Sequence, residues 1–345
     1  MSTDSNQPQT PAYTRKDFLS GIDPRWCAGC GTFSTFNGIT RTFMNAGISR
    51  EKFSVISGIG CSSRLPYYSN TYGFHTIHGR APAVAMGLKM INPDLNVWVV
   101  TGDGDGLSIG GNHYIHLMRR NPNIKMVLFN NQIYGLTKGQ TSPTSPLGTK
   151  TKSSPFGSVD RPMRPLTVAL GAGATFVARV PDTDNELMYQ VLNAASKHEG
   201  VAIVEVLINC VIFNDGVFLP FTEKTTRPER TVLLEAGKPL LFGTNKNKGI
   251  VMKGDRPTVV TIGENGAKIE DVVVHDPQNP NSGYAFMLAE MGGNLPAPYG
   301  VLRQIHDHVF KPISAKGTKE GLQKTLRGSN AWSIDGQGNI LAEKI

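Results

Sequence analysis

The chain reads as an α/β protein in which helices cover both faces of a parallel sheet, with a C-terminal arm added. Three observations predict this. Short apolar runs alternate with stretches of helical period from about residue 50 to about residue 222, the pattern of strands buried on both faces. Glycine-rich polar turns follow those runs, where ligands bind in parallel sheets. After about residue 222 the alternation gives way to short strand-like pieces, turns and prolines.

The elements follow in order. "KFSVISGIG" (52–60) is a strand ending in a glycine turn, and "APAVAMGLKMI" (81–91) has small and apolar residues at helical spacing. "NVWVVTGDGDG" (96–106) is a strand entering a loop, and "GGNHYIHLMRRN" (110–121) is a helix with a basic end. "IKMVLFNNQIYG" (124–135) is a strand that runs into a second polar turn. The segment 138–165, rich in Pro, Ser, Thr and Lys, is too long for an inert connection and reads as a functional loop. "ATFVARV" (174–180), "DNELMYQVLNAASKHEG" (184–200) and "VAIVEVL" (201–207) then add strand, helix and strand. Residues 225–345 read as an appendage that wraps a partner rather than building a second core.

Composition narrows the function classes. At 345 residues, with 39% hydrophobic and 18% charged residues, the chain is an ordinary globular protein. No apolar run reaches the roughly 18–20 residues that span a bilayer, so no membrane role is expected. The start "MSTDSNQPQTPAYT" lacks a signal-peptide core. Residues 1–17 read as a disordered lead-in to a cytoplasmic protein. The net charge is +8, but the Lys and Arg residues are scattered, which argues against nucleic acid and for steering of an acidic partner or anionic substrate.

Two constellations carry chemistry. In "VVTGDGDGLSIGGNH" (99–113), Asp103 and Asp105 sit among glycines that let backbone approach a ligand closely. Asp103 can supply a carboxylate oxygen, Asn131 an amide oxygen and the turn "NNQIYG" a carbonyl, best read as that of Ile133. Three oxygens from two neighbouring strand ends suit Mg²⁺ holding a diphosphate. A lone Gly-Asp-Gly is a common turn. Followed roughly 26–30 residues later by Asn-Asn, each at a strand end, it resembles the thiamine-diphosphate motif.

The second constellation is Cys27 and Cys30 in "WCAGCG", Cys61 in "GIGCSS" and Cys210 in "EVLINCVIF", the four cysteines of the chain. A disulfide framework does not suit so few in a large chain of this type. Structural zinc, a redox dithiol and a 4Fe–4S cluster compete; the dithiol leaves two cysteines unexplained, and spacing does not separate the other two. His78 in "HTIHGR" precedes a small-residue helix and can meet an anionic ligand. Lys138 and Gln140 lie just past the Asn-Asn turn, where a substrate carboxylate would approach. His113 and His116 lie one helical turn apart with no further ligand in view, and read as packing.

Together "WCAGCG", "GIGCSS", "HTIHGR", "GDGD", "NNQIYGLTKGQTSPTS" and the late Cys210 make residues 18–224 resemble the β subunits of the 2-oxoacid:ferredoxin oxidoreductases. The tail is similar, more loosely, to the 2-oxoglutarate (2-oxoglutarate synthase) branch. The resemblance implies a thiamine-diphosphate-binding fold of the diphosphate type. It implies one 4Fe–4S cluster on Cys27, Cys30, Cys61 and Cys210, and Mg²⁺ on Asp103, Asn131 and the Ile133 carbonyl. Ile59, Gly60, Cys61, Ser62, His78, Gly104, Asp105, Gly135 and Leu136 would line the thiamine diphosphate, and Lys138 would meet the substrate. The implied reaction is CoA-dependent oxidative decarboxylation of a 2-oxoacid, with electrons passing singly to ferredoxin. An α subunit would complete the active site, the pair forming a heterotetramer. The rival readings are another 2-oxoacid such as pyruvate, or a non-redox thiamine decarboxylase half with zinc.

Overall fold

The computed structural model describes residues 12–310, 330–334 and 340–344. Its strands are β1 (Phe53–Ser57), β2 (Tyr72–His75), β3 (Asn96–Gly102), β4 (Ile124–Asn130), β5 (Phe176–Pro181), β6 (Ala202–Leu207), β7 (Thr231–Leu234), β8 (Leu241–Phe242), β9 (Lys248–Lys253), β10 (Arg256–Thr261) and β11 (Ala297–Gln304). Eight form one sheet in the order β2-β1-β3-β4-β6-β5-β11-β7. The six from β2 to β5 run parallel, whereas β11 enters antiparallel to β5, with β7 parallel to β11. The sheet is therefore mixed at one edge.

Every residue of β1, β4 and β6 is buried, and successive side chains alternate between the two faces. Trp98, Val100, Val127 and Phe129 face the helices Thr32–Met44 and Asn185–Lys197. Val97, Val99, Met126 and Leu128 face the layer that contains helices Ala81–Ile91, Gly111–Arg120 and Pro165–Gly171. The first pair of helices packs closely because Gly38 has no side chain: a Cβ there would sit 2.9 Å from the Met188 sulfur. Among the described residues no helix is long and apolar enough to cross a membrane.

Three expectations need correction. The C-terminal arm expected over 225–345 is, as far as Phe310, part of the main body. β7 and β11 extend the sheet, and Val232, Leu234, Phe242, Ile250, Leu288 and Leu302 are buried in the same core as the strands before them. The antiparallel sheet β10-β9-β8 and helix Ser282–Glu290 add to that layer. The lead-in expected to be disordered over 1–17 is ordered from residue 12. Thr14 donates from its backbone N and Oγ1 to Asp17 (2.7 and 2.8 Å), and Tyr13 packs edge-on to the buried Phe18. Its first 11 residues lie outside the described part. The turn after β3, expected as a loop, is a short helix, Asp103–Leu107.

A second unit begins at Lys311. Its described residues form an antiparallel hairpin of β12 (Asn330–Ile334) and β13 (Ile340–Lys344), with Asn330 opposite Lys344. The rest of the expected arm, 311–329, 335–339 and 345, lies outside the described residues.

Candidate active site

The chain leaves β1 toward β2 on one side and β3 toward β4 on the other. Such a reversal opens a crevice beyond the strand ends. A cleft of ≈ 1040 Å³, counting its open mouth, lies there, walled by the turns that follow β1, β3, β4 and β6. Every site residue expected from the sequence lines it except Lys138 and Gln140.

The two aspartates of the glycine turn have different surroundings. Asp103 is buried, and its Oδ2 accepts hydrogen bonds from Ser142 Oγ (2.6 Å) and Thr144 Oγ1 (2.5 Å). Burial pushes its carboxyl up to about 6, although the two hydroxyls pull the other way. Asp105 acts as a tether. Its Oδ1 accepts from the backbone N–H groups of Ile59 (3.1 Å) and Gly79 (2.7 Å), and its Oδ2 from Thr101 Oγ1 (2.6 Å). One carboxylate thus joins the turn after β1, the segment before helix Ala81–Ile91 and the end of β3. His78 Nδ1 lies 2.6 Å from the same Oδ1, off the angle that a hydrogen bond needs.

Glycine is required at position 104, because a Cβ there would fall on the Tyr134 ring. Tyr134 lies across the turn and donates its hydroxyl to the Gly104 carbonyl (2.8 Å). The turn after β4 is shaped by its own amides. Asn130 Oδ1 accepts from Gln132 N, and Asn131 Oδ1 from Ile133 N (both 3.2 Å), while Gln132 takes a left-handed φ of 55°. Asn214 Nδ2 donates to the Asn131 carbonyl (2.9 Å). The Ile133 carbonyl accepts no hydrogen bond from any described residue.

All four cysteines are free thiols on the same cleft. Cys30 and Cys61 are partly buried, which pushes both thiols up, Cys61 to about 11, with further upward pressure from the neighbouring cysteines. Trp26 Nε1 donates to the Cys61 carbonyl (2.7 Å), which ties the "WCAGCG" loop to the turn after β1. A Cβ built on Gly135 would lie 3.5 Å from Cys210 Sγ, 3.8 Å from Cys61 Sγ and 4.0 Å from Asn131 Nδ2. The thiols and the Asn-Asn turn therefore share a wall. Among the described residues no three His, Cys, Asp or Glu side chains are grouped closely enough to hold a single metal ion.

Lys138 is exposed, in a left-handed conformation (φ 73°), beside the cleft. Gln140 is held by Thr137 through both ends of its amide. His113 and His116 lie outside the cleft lining. Sequence reasoning missed Ser142, Thr144 and Thr101, which bond to the two aspartates, Tyr134, which holds the Gly104 carbonyl, and Arg25 and Arg64, which add positive charge to the lining. Ser and Thr in the 138–165 loop were the available signal for the first pair.

Comparison with known proteins agrees with this geometry. Residues 58–206 match the family "Thiamine pyrophosphate enzyme, C-terminal TPP binding domain". The 2-oxoglutarate oxidoreductase subunit KorB of Mycobacterium tuberculosis is 46% identical over 332 residues, covering 93% of this chain and 88% of that one. The 2-oxoglutarate synthase subunit KorB of Archaeoglobus fulgidus is 45% identical over 202 residues, 57% of this chain and 73% of that one. A solved 2-oxoglutarate:ferredoxin oxidoreductase from Magnetococcus marinus, with 2-oxoglutarate, coenzyme A and succinyl-CoA bound, superposes with a TM-score of 0.71. It is 34% identical and covers 92% of this chain and 96% of that one.

Proposed function

Since the chain belongs to the β subunits of the 2-oxoacid:ferredoxin oxidoreductases, we propose that it carries the diphosphate-binding half of an enzyme that converts 2-oxoglutarate and CoA to succinyl-CoA, CO₂ and reduced ferredoxin. The observation that carries this reading is the sharing of one cleft by three oxygen donors and four thiols. Asp103, Asn131 and the Ile133 carbonyl are chemically suited to Mg²⁺, a hard cation that prefers oxygen. Cys27, Cys30, Cys61 and Cys210 supply the four thiolates of one 4Fe–4S cluster.

Thiamine diphosphate, when bound, supplies the electron sink through which a 2-oxoacid loses CO₂. This chain's residues do the holding. Ile59, Gly60, Cys61, Ser62, Gly104, Gly135 and Leu136 wall the cofactor, while Asp105 fixes the loops that carry them. His78, also in the lining, would offer its imidazole to an anionic group of the cofactor. Lys138, beside the cleft, draws the substrate carboxylate. An α subunit completes the site and pairs with this chain toward a heterotetramer; ferredoxin is the acidic partner that the net charge of +8 favours.

The test is anaerobic co-expression with the α subunit, followed by metal analysis and assay. Iron with sulfide, together with ferredoxin reduction that needs both 2-oxoglutarate and CoA, is the expected result. Zinc in a colourless protein would overturn the cluster assignment, and turnover of pyruvate in preference to 2-oxoglutarate would overturn the substrate.

A further inference from the structure

Behind the cleft, inside the sheet, lies an ion pair that the reading above leaves unused. Arg179 Nε on β5 donates to Glu205 Oε2 on β6 at 2.7 Å, with the two side chains only 11% and 2% exposed. Glu205 Oε1 accepts from Asn130 Nδ2 at the end of β4 (2.8 Å). The other end of that amide, Asn130 Oδ1, accepts from Gln132 N (3.2 Å) and faces Thr144 Oγ1 (3.0 Å). Thr144 in turn donates to Asp103 (2.5 Å). A continuous buried path thus runs from Arg179 to the carboxylate expected to hold the cation.

A buried ion pair is weak evidence for stability, because desolvation offsets much of the attraction. This one has a geometric consequence. A carboxylate can only accept hydrogen bonds, whereas an amide offers a donor at one end and an acceptor at the other. With Arg179 occupying Oε2, the free Oε1 forces Asn130 to turn its NH₂ toward Glu205 and its oxygen toward Gln132 and Thr144. Were the amide reversed, its NH₂ would meet the Gln132 N–H, donor against donor. The turn over 130–132 would lose its internal bond.

We propose that Glu205, held by Arg179, is a positioning residue for the cation-binding turn: its carboxylate sets the direction of the Asn130 amide, and through it the turn that carries Asn131 and Ile133. The inference rests on the proposed Mg²⁺–thiamine diphosphate site. Neither Glu205 nor Asn130 touches the cofactor's expected position; each acts through its neighbour.

The discriminating experiment is a pair of near-isosteric swaps in the αβ complex. The affinity for Mg²⁺–thiamine diphosphate is measured by calorimetry on cofactor-stripped protein. In Glu205→Gln the new amide must keep its oxygen on Arg179, so its NH₂ faces Asn130 and reverses that amide. A loss of roughly 10- to 100-fold in affinity is expected, typical of removing a group that orients a metal ligand. Adding Asn130→Asp restores an acceptor toward the new NH₂ and toward the Gln132 N–H, so the double variant should recover most of the loss. A purely structural role predicts no such recovery. Parental affinity in Glu205→Gln, or a double variant as weak as the single one, overturns the proposal. If the single variant fails to assemble, the double variant alone decides, by near-parental or lowered affinity. Failure of the parent complex to bind the cofactor at all would instead overturn the reading of the site, and this inference with it.

Discussion

At the scale of single residues, the strongest expectation is at Asp103. It is the buried carboxylate on which Ser142 and Thr144 converge. Asp103→Ala removes the anionic donor and should lower thiamine diphosphate affinity by at least the roughly 10- to 100-fold that follows loss of a mere supporting group. Cofactor content after gel filtration checks this, and full occupancy would count against the site. Lys138 is a weaker case. It is exposed and outside the cleft lining, so its attraction is screened and worth at most about 1 kcal/mol. Lys138→Ala should raise KM for 2-oxoglutarate by about fivefold at most, with the difference shrinking in high salt; an unchanged KM at low salt would return it to the solvated surface. That Asp103 and Asn131 would line one cleft was legible because chemically specific side chains stand in turns of glycine and amide. Ser142 and Thr144 were not, because they come from a separate loop some 39 and 41 residues further on, and nothing local marks which hydroxyl folds back.

At the scale of elements, legibility followed periodicity. The helix Ala81–Ile91 and the strands β1, β3, β4, β5 and β6 appear where apolar patterning placed them. The helix Thr32–Met44 went unread because it contains β-branched Thr and Ile and a glycine, poor helix formers in isolation. Its helicity comes from packing, through Phe36, Ile39 and Phe43, on the face it shares with helix Asn185–Lys197. The short helix Asp103–Leu107 was hidden by its glycines. Packing of this kind is measurable. Leu192→Ala, at a site with no exposure, should cost about 2–5 kcal/mol in denaturant unfolding. Ile91→Ala, 87% exposed, should stay within about 0.5 kcal/mol. Equal effects at the two positions would contradict the burial described.

At the scale of the whole molecule, the sequence suggested where the body ends and placed it too early. β11 pairs with β5 across more than a hundred residues, and its residues include Pro298 and Gly300, which disguise a strand. Removing everything after residue 224 should therefore leave an insoluble or unfolded chain, because Val232 and Leu302 belong to the central core; a soluble truncated chain with parental circular dichroism would refute this. Acid sensitivity is another global property. His198, beyond the end of helix Asn185–Lys197, shares a hydrogen bond with Thr175 Oγ1 (2.8 Å). Burial, with the Lys125 ammonium nearby, lowers it from 6.5 to about 4. Between those values the unfolded chain takes up a proton that the folded one refuses, so this stability is complete above pH 6.5 and lost as pH falls toward 4. Melting temperature should drop over that range, and His198→Gln should flatten part of the drop; an unaltered slope would exclude the residue.

The wall at Gly135 carries a consequence for how such a protein can change. A Cβ there would stand in ordinary contact with the Cys210 and Cys61 sulfurs and with the Asn131 amide, so a side chain larger than alanine meets both. The proposed redox centre and the proposed cofactor clamp are thus not separate modules that drift can retune one at a time. A variant at this position is judged by two sites at once. Descendants that abandon one chemistry while keeping the other should find this turn among the last places free to vary.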